Sequence, residues 1–244
     1  MVRPLLSRSE AAAERALKYK TLGDRPAQRS VCERSEHEPR SWATPGIRSA
    51  VALERSATQP ADTERFQGFA SVTGQPYEMY DWLGPYDEVV AVGAFEKTLA
   101  QSDLDVPLVL DHVSSKRIAR TGNASSPLEL VELHDKATTG LQVIAPTLQL
   151  SDPDTVYILP KLRSGLIDEM SFRFMITEGR WSEDFTTFTI RSVDIHRGDV
   201  AIVGYGANPH TTGAGLRKTG DDAARRARER AVAMSLAGDR GPWQ

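Results

Sequence analysis

Cysteine is nearly absent from this sequence, which contains the single thiol Cys32. A chain with one cysteine forms no intrachain disulfide and offers no cysteine cluster for structural zinc. Histidine is sparse as well, and its five positions lack the short spacing of a metal-binding motif. They are His37, His112, His134, His196 and His210. We therefore expect neither a metal nor any other cofactor, and we assign Cys32 no role.

Long apolar runs are also missing, because no stretch approaches the roughly 18 residues that a membrane-spanning helix requires. The first residues, MVRPLLSRSEAAAERALKYK, lack the apolar centre of a secretory signal, so we expect a cytoplasmic location and no membrane partner. The formal net charge of -3 gives no overall positive field, and nucleic acid is not expected as the main partner. The chain also lacks a G-x-S-x-G elbow, a Walker-type phosphate loop and a dinucleotide fingerprint.

Composition divides the 244 residues into three zones. Residues 1–64 are rich in Arg, Ser, Glu and Pro without a sustained period, and we interpret them as a flexible N-terminal segment with room for one short helix. Residues 65–211 form the predicted folded domain. Residues 212–244 form a basic C-terminal tail with a predicted helix of mainly Ala and Arg.

The middle zone consists largely of short strand-like segments that are separated by turns. Eight segments have this character: RFQGFASVTG, EVVAVGAF, VPLVLDH, LELVELHD, GLQVIAPTL, EMSFRFMI, FTTFTIRSVDI and DVAIVGYGANP. Two modest helices are predicted between them, GAFEKTLAQ and SDPDTVYILPKLRSG, and Pro160 should kink or shorten the second. This pattern predicts an α+β fold, mostly a compact β-barrel or sandwich with a few flanking helices.

Three polar residues of this zone are candidates for chemistry, although each has an ordinary structural explanation when taken alone. His112 ends a strand-like segment and continues the parity of Leu108 and Leu110. The apolar residues of EMSFRFMI alternate, which turns Ser171 towards the opposite face of that strand. Asp199 begins the last strand, where carboxylates are common.

Taken in order along the chain, these residues belong to a longer series of motifs. The histidine of VPLVLDH is followed by GLIDEMSFRF and then by DVAIVGYGANP, and GFASVTG, DEVVAVGAFEKTL and GLQVIAPTL also match in order. With these motifs the chain resembles the prohead (capsid maturation) serine protease family of tailed bacteriophages from about Phe66 to Thr211. That family looks like a distant relative of the herpesvirus assembly proteases. The resemblance implies a herpesvirus-protease-like fold between flexible tails.

The resemblance also implies the site residues. The histidine of the family falls on His112, its nucleophile on Ser171 and its third member on Asp199, where the family often has Glu. His196 stays an alternative third member, because the herpesvirus relatives use a second histidine. Arg173 stands where the family frequently has glycine, and it is left with three options: the oxyanion, an acidic substrate residue, or a solvated surface charge.

A serine protease needs N–H donors for its oxyanion, and we expect them near Phe172 or in the Arg197-Gly198 turn. The function implied by the resemblance is a serine endopeptidase that cleaves scaffold or the scaffold-like N-terminal region of the major capsid protein, and we expect it to cleave itself as well. It would act in the host cytoplasm inside the assembling procapsid. The alternative is a non-catalytic capsid-assembly or scaffold component with the same fold. The residues leave self-association open.

Overall fold

The computed structural model describes residues 6–26, 52–54, 61–134 and 139–206, with the backbone path alone for residues 52–54. Its helices are α1 (Arg8–Lys18), α2 (Glu96–Leu99) and α3 (Pro153–Ser164). Its strands are β1 (Ala52–Glu54), β2 (Thr63–Val72), β3 (Pro76–Asp81), β4 (Gly84–Val90), β5 (Pro107–Leu110), β6 (Arg117–Arg120), β7 (Glu129–His134), β8 (Thr139–Gln149), β9 (Glu169–Trp181) and β10 (Thr187–Val203). The predicted α+β fold, mostly strands with a few helices, is confirmed. Cys32 and the tail from residue 212 to residue 244 lie outside the described residues.

The strands form two sheets. The first is antiparallel throughout and has the order β1-β2-β8-β7. The second has the order β3-β4-β10-β5-β6, and β9 pairs with the free edge of β10. β10 is parallel to β4 in its first half, parallel to β5 in its second half, and antiparallel to β9 along most of its length. β10 is therefore the strand that connects every part of the second sheet.

One large apolar cluster joins the two sheets, and the helix α3 covers part of it. The alternation of apolar residues in the strands produces this core, because each strand directs every second side chain to the same face. Representative members are Phe66, Leu141, Val143, Leu108, Met170, Val200 and Ile202 from the strands and Ile158, Leu159 and Leu162 from α3.

The last two predicted strands form a single strand, so that prediction is wrong. β10 runs through the HRG triplet that was expected to separate them. The ladder with β9 is irregular between Asp194 and Asp199, and Arg197 within this interval has a left-handed φ of 57°. Gly198 lies so close to β9 that a Cβ on it would be 2.0 Å from the Arg173 carbonyl oxygen. The apparent break is therefore a bulge inside one long strand.

Helix α3 begins and ends where the sequence predicts, and it is not shortened at its proline. The Asp152 side chain caps it by accepting from the N–H groups of Asp154 and Thr155 at 2.8 and 3.0 Å, and Gly165 ends it with a left-handed φ of 70°. Pro160 lies inside the helix, which does not end there. The predicted shortening therefore does not occur.

Candidate active site

Ser171 and Asp199 lie on the face of the second sheet that is opposite the main core, and the His112 side chain contacts Asp199 there. Ser171 on β9 lies opposite Ala201 on β10, and Ala201 lies opposite Val109 on β5. Paired residues direct their side chains to the same face. Ser171, Ala201 and Val109 therefore form a row across three strands on one face of the sheet. Val109, Ala201 and Val203 form a small apolar cluster that is separate from the main core. The prediction that Ser171 turns away from the core face of Met170 is confirmed.

Asp199 and His112 are in direct contact on this face. Asp199 precedes Ala201 by two residues, which places it on the same side of β10, and it is only 4% exposed. The Nδ1 atom of His112 is 2.5 Å from Asp199 Oδ1, and the His112 side chain keeps 26% of its surface exposed. An ionised carboxylate only accepts hydrogen bonds, so Nδ1 is the donor. This contact orients the ring and leaves Nε2 for another partner.

The backbone before this contact turns His112 towards Asp199. Asp111 and His112 both have left-handed φ values, 51° and 57°, and the Asp111 N–H donates to the Ile202 carbonyl at 2.9 Å. Left-handed backbone costs roughly 1–2 kcal/mol for residues other than glycine. Strand parity placed His112 on the face of Leu110, and this part of the interpretation is wrong because the two left-handed residues break the alternation.

Asp105, just before β5, supports the bulge of β10. Its N–H donates to His196 Nδ1 at 3.3 Å, and its carbonyl accepts from the Arg197 N–H at 2.9 Å. Its carboxylate accepts two hydrogen bonds from Arg120 on β6, at 2.6 and 2.7 Å. The hydrogen bonds from Arg120 hold the pKa of the Asp105 carboxyl below its usual range. Sequence reasoning missed Asp105, because an acidic residue before a strand carries no signal of its own.

Arg173 makes the second contact of the Asp199 carboxylate. It lies directly opposite Asp199 in the β9–β10 ladder, and its Nη1 atom is 3.5 Å from Asp199 Oδ2. His112 contacts the other carboxylate oxygen. Asp199 therefore has a partner on each oxygen, one a neutral or protonated ring and the other a permanent cation. The sequence had left the role of Arg173 open.

Two of the alternatives raised by the sequence have other contacts. The ring of His196 accepts the N–H of Asp105, whereas the residue in contact with His112 is Asp199. The amide of Arg197, one of the expected oxyanion donors, already donates to the Asp105 carbonyl. In this structure the Arg197 N–H is therefore engaged in a hydrogen bond and does not point to an oxyanion.

Ser171 is the third residue of the group. Asp199 faces Arg173 and Ser171 faces Ala201, so Ser171 and Asp199 are diagonal neighbours in the ladder. Diagonal neighbours lie about 7–8 Å apart, a separation that long or aromatic side chains can span. The Ser171 hydroxyl is half-buried and makes no hydrogen bond to any of the described residues.

No cluster of three or more His, Cys, Asp or Glu side chains in the described ranges is arranged to hold a metal ion. None of the described helices is long and apolar enough to span a membrane. An open cavity of about 580 Å³ lies beside the β6 strand and the start of α3, and His112, Ser171 and Asp199 are not among its lining residues.

Comparison with known families gives one match, and it covers most of the chain. The model that describes the caudovirus prohead serine proteases matches residues 51–224. The chain belongs to this family. It is a serine protease of the bacteriophage capsid-maturation class. No curated protein and no solved structure matched the chain.

The matched region of this prohead serine protease includes the ten described strands and the helices α2 and α3. Helix α1 lies before the first matched residue. The three candidate residues therefore lie inside the matched region.

Proposed function

We propose that Ser171, His112 and Asp199 act together as a catalytic triad in peptide-bond hydrolysis. The observation that carries this proposal is the contact between His112 Nδ1 and the buried Asp199 carboxylate, with Nε2 left for the serine. The location of Ser171 on the same sheet face supports it. A serine hydroxyl needs an adjacent base to attack a carbonyl near neutral pH, and an oriented imidazole is such a base.

The mechanism follows from these roles. Ser171 Oγ attacks the scissile carbonyl carbon while its proton passes to His112 Nε2, and a tetrahedral oxyanion forms. When this intermediate collapses, the C–N bond breaks and His112 donates the proton to the leaving amine. Water then attacks the acyl-enzyme by the same route and restores the Ser171 hydroxyl. Asp199 keeps the imidazole in the required tautomer and stabilises its protonated form.

The substrates that we propose are scaffold and the scaffold-like N-terminal region of the major capsid protein, with the chain itself as a further substrate. Membership of the prohead protease family supports capsid proteins as the substrate class. Cleavage would take place inside the assembling procapsid in the host cell. The Arg-rich segment from Arg225 to Arg230, outside the described residues, is a candidate for binding scaffold or capsid protein.

The test is a comparison of the wild-type chain with Ser171→Ala in cells that also produce the phage scaffold and major capsid protein. We expect cleavage of both proteins to fall by about 10³-fold or more, because triad members act as a unit. Intact-mass spectrometry of the purified chains reports self-cleavage in the same experiment. Ser114→Ala, an exposed serine two residues after His112, is the matched control and should keep full activity.

The outcomes separate the competing functions. Undiminished cleavage by Ser171→Ala would show that another residue is the nucleophile. Correct procapsid assembly without any cleavage by the wild-type chain would favour the non-catalytic assembly component.

A further inference from the structure

Helix α1 is attached to the sheets by an arginine that is completely buried. Arg15 binds both oxygens of Asp81 through Nε and Nη2, at 2.9 and 3.0 Å, and both side chains are 0% exposed. The guanidinium also donates to the carbonyls of Gly84, Pro85 and Phe185 at 2.6, 3.1 and 3.5 Å. A buried cation is stable only when it is paired and hydrogen-bonded, and here each terminal nitrogen has acceptors.

The sheet is shaped to receive this helix. Gly84, the first residue of β4, has a φ of 138°, and a Cβ on it would be 2.9 Å from the Cβ of Ala11. Ala11 and Ala12 are the small residues that α1 directs to the sheet, and both are buried. Small side chains on the helix and a glycine on the sheet therefore allow the backbones to approach closely.

The residues after α1 continue the contact. The ring of Tyr19 stacks on Trp181 with a centroid distance of 5.8 Å. Trp181 donates its backbone N–H to the Leu22 carbonyl at 2.7 Å and its Nε1–H to the Asp24 carbonyl at 2.8 Å. The guanidinium of Arg15 lies over the rings of Tyr86 and Trp181, 5.2 Å from each centroid.

The docked segment holds the end of the second sheet that is remote from the candidate site. Trp181 ends β9, whereas Ser171 lies near its beginning. Ser171 and Trp181 are ten positions apart, which corresponds to roughly 30 Å in an extended strand. The segment therefore clamps the β3–β4 turn and the β9–β10 turn without covering Ser171.

We propose that residues 6–26 form a docking segment whose own contacts hold it on the sheets, so that it stays bound after the chain is cut between residues 27 and 51. The occupant of the docking site is the segment of the same chain. The hydrogen bonds of Arg15 to its acceptors bind the segment, and the missing side chain of Gly84 allows helix α1 to pack closely. The proposal does not depend on the peptidase activity. Its consequence is that a cut in the connecting residues yields a two-piece protein that keeps its N-terminal part.

The test uses the full chain with Ser171→Ala and with the recognition sequence of a site-specific protease inserted between residues 27 and 51. Complete cutting divides the chain into an N-terminal fragment, which contains residues 6–26, and the remaining larger piece, here called the body. Size-exclusion chromatography and native mass spectrometry then report whether the fragment stays bound to the body. We expect one fragment for each body under native conditions and separation only in denaturant. Separation of the two pieces of this chain under native conditions would overturn the proposal, and so would a complex of two fragments with two bodies.

Variants test the anchor itself. Arg15→Met removes the ion pair and Gly84→Ala blocks the approach of Ala11, so both should release the cut fragment. Leu17→Ala is the matched control, because Leu17 is on the same helix and 85% exposed, and it should retain the fragment. Retention by both Arg15→Met and Gly84→Ala would show that the proposed anchor is wrong.

A labelled peptide of residues 6–26 gives a readout that does not require the variants to fold. Added in excess at a urea concentration that begins to release the cut fragment, it should replace that fragment in the cut protein and be excluded from the uncut protein, where the tethered segment occupies the site at high effective concentration. Equal uptake by both proteins, or no uptake by the cut protein, would contradict the proposal.

Discussion

Arg173 and Asp199 face each other across the β9–β10 ladder, with Arg173 Nη1 3.5 Å from Asp199 Oδ2. The other oxygen of the same carboxylate contacts His112 at 2.5 Å. Arg173 is also two residues after Ser171 on β9, on the same face. One exposed cation therefore lies beside the carboxylate that orients the proposed base. We therefore expect Arg173 to help position Asp199.

Replacing this cation should lower activity modestly. The Arg173 side chain is 61% exposed, and exposed ion pairs contribute about 0.2–1 kcal/mol, so Arg173→Gln should lower kcat/KM by up to about fivefold. Steady-state hydrolysis of a peptide substrate measures this change.

Arg180→Gln is the control for this experiment, because Arg180 is an exposed arginine on the same strand and lies opposite Thr189. It should leave kcat/KM unchanged. An unchanged kcat/KM in Arg173→Gln, or an equal loss in both variants, would contradict the positioning role of Arg173.

Asp199→Asn should remove most of the activity while preserving the fold. The amide of Asn can donate to Nδ1 and thereby favour the tautomer with its proton on Nε2, which cannot accept the proton of Ser171. We expect kcat to fall by about 10³- to 10⁴-fold. Asp111→Asn changes an exposed carboxyl next to His112 and should keep near-normal activity. Equal losses in the two variants would show that the contact with His112 has no special role.

The part of the site that depends on local pattern was predictable from the sequence. Alternation in EMSFRFMI predicts that Ser171 and Arg173 share a face, and the ladder with β10 agrees. The ordered series of family motifs identified His112, Ser171 and Asp199, although no local sequence pattern connects these three residues. Their proximity arises because β10 has β5 on one edge and β9 on the other.

What the sequence did not predict depends on backbone geometry and on distant contacts. His112 changes face because two consecutive residues adopt left-handed φ values. This conformation is uncommon for residues other than glycine, so the sequence does not indicate it. The Arg173–Asp199 pair depends on the register after the β10 bulge. The buried pair of Arg15 and Asp81 joins residues 66 positions apart, and nothing near Arg15 marks it as different from the other arginines of that region.

Gly198 should be essential to the register that places Asp199. A Cβ at this position would be 2.0 Å from the Arg173 carbonyl oxygen and 3.1 Å from the Ile195 carbonyl oxygen, so the bulge or β9 must move in Gly198→Ala. Overpacking of this kind costs about 1–3 kcal/mol. We expect a lower free energy of unfolding in urea and a loss of activity larger than the loss of stability explains. Gly204→Ala, where nothing lies within 4 Å of the added Cβ, is the control, and equal behaviour of the two variants would refute the argument.

The ion pair of Asp105 and Arg120 should stabilise the fold in a pH-dependent way. Hydrogen bonds from Arg120 lower the pKa of Asp105 in the folded state, whereas in the unfolded chain it has the usual value of about 3.9. The folded state therefore binds the proton less readily than the unfolded state. The stabilisation is complete above the unfolded pKa and is lost as the pH falls through the folded pKa.

Asp105→Asn keeps the backbone contacts with His196 and Arg197 and removes only the charge. Urea unfolding of the wild type and this variant should therefore differ most at pH 6–7, and the difference should shrink as the pH falls below about 4. Asp103→Asn, an exposed carboxyl two residues earlier, corrects for the general effect of removing one negative charge. A difference in the free energy of unfolding that stays constant or grows towards low pH would mean that the ion pair of Asp105 and Arg120 does not stabilise the fold.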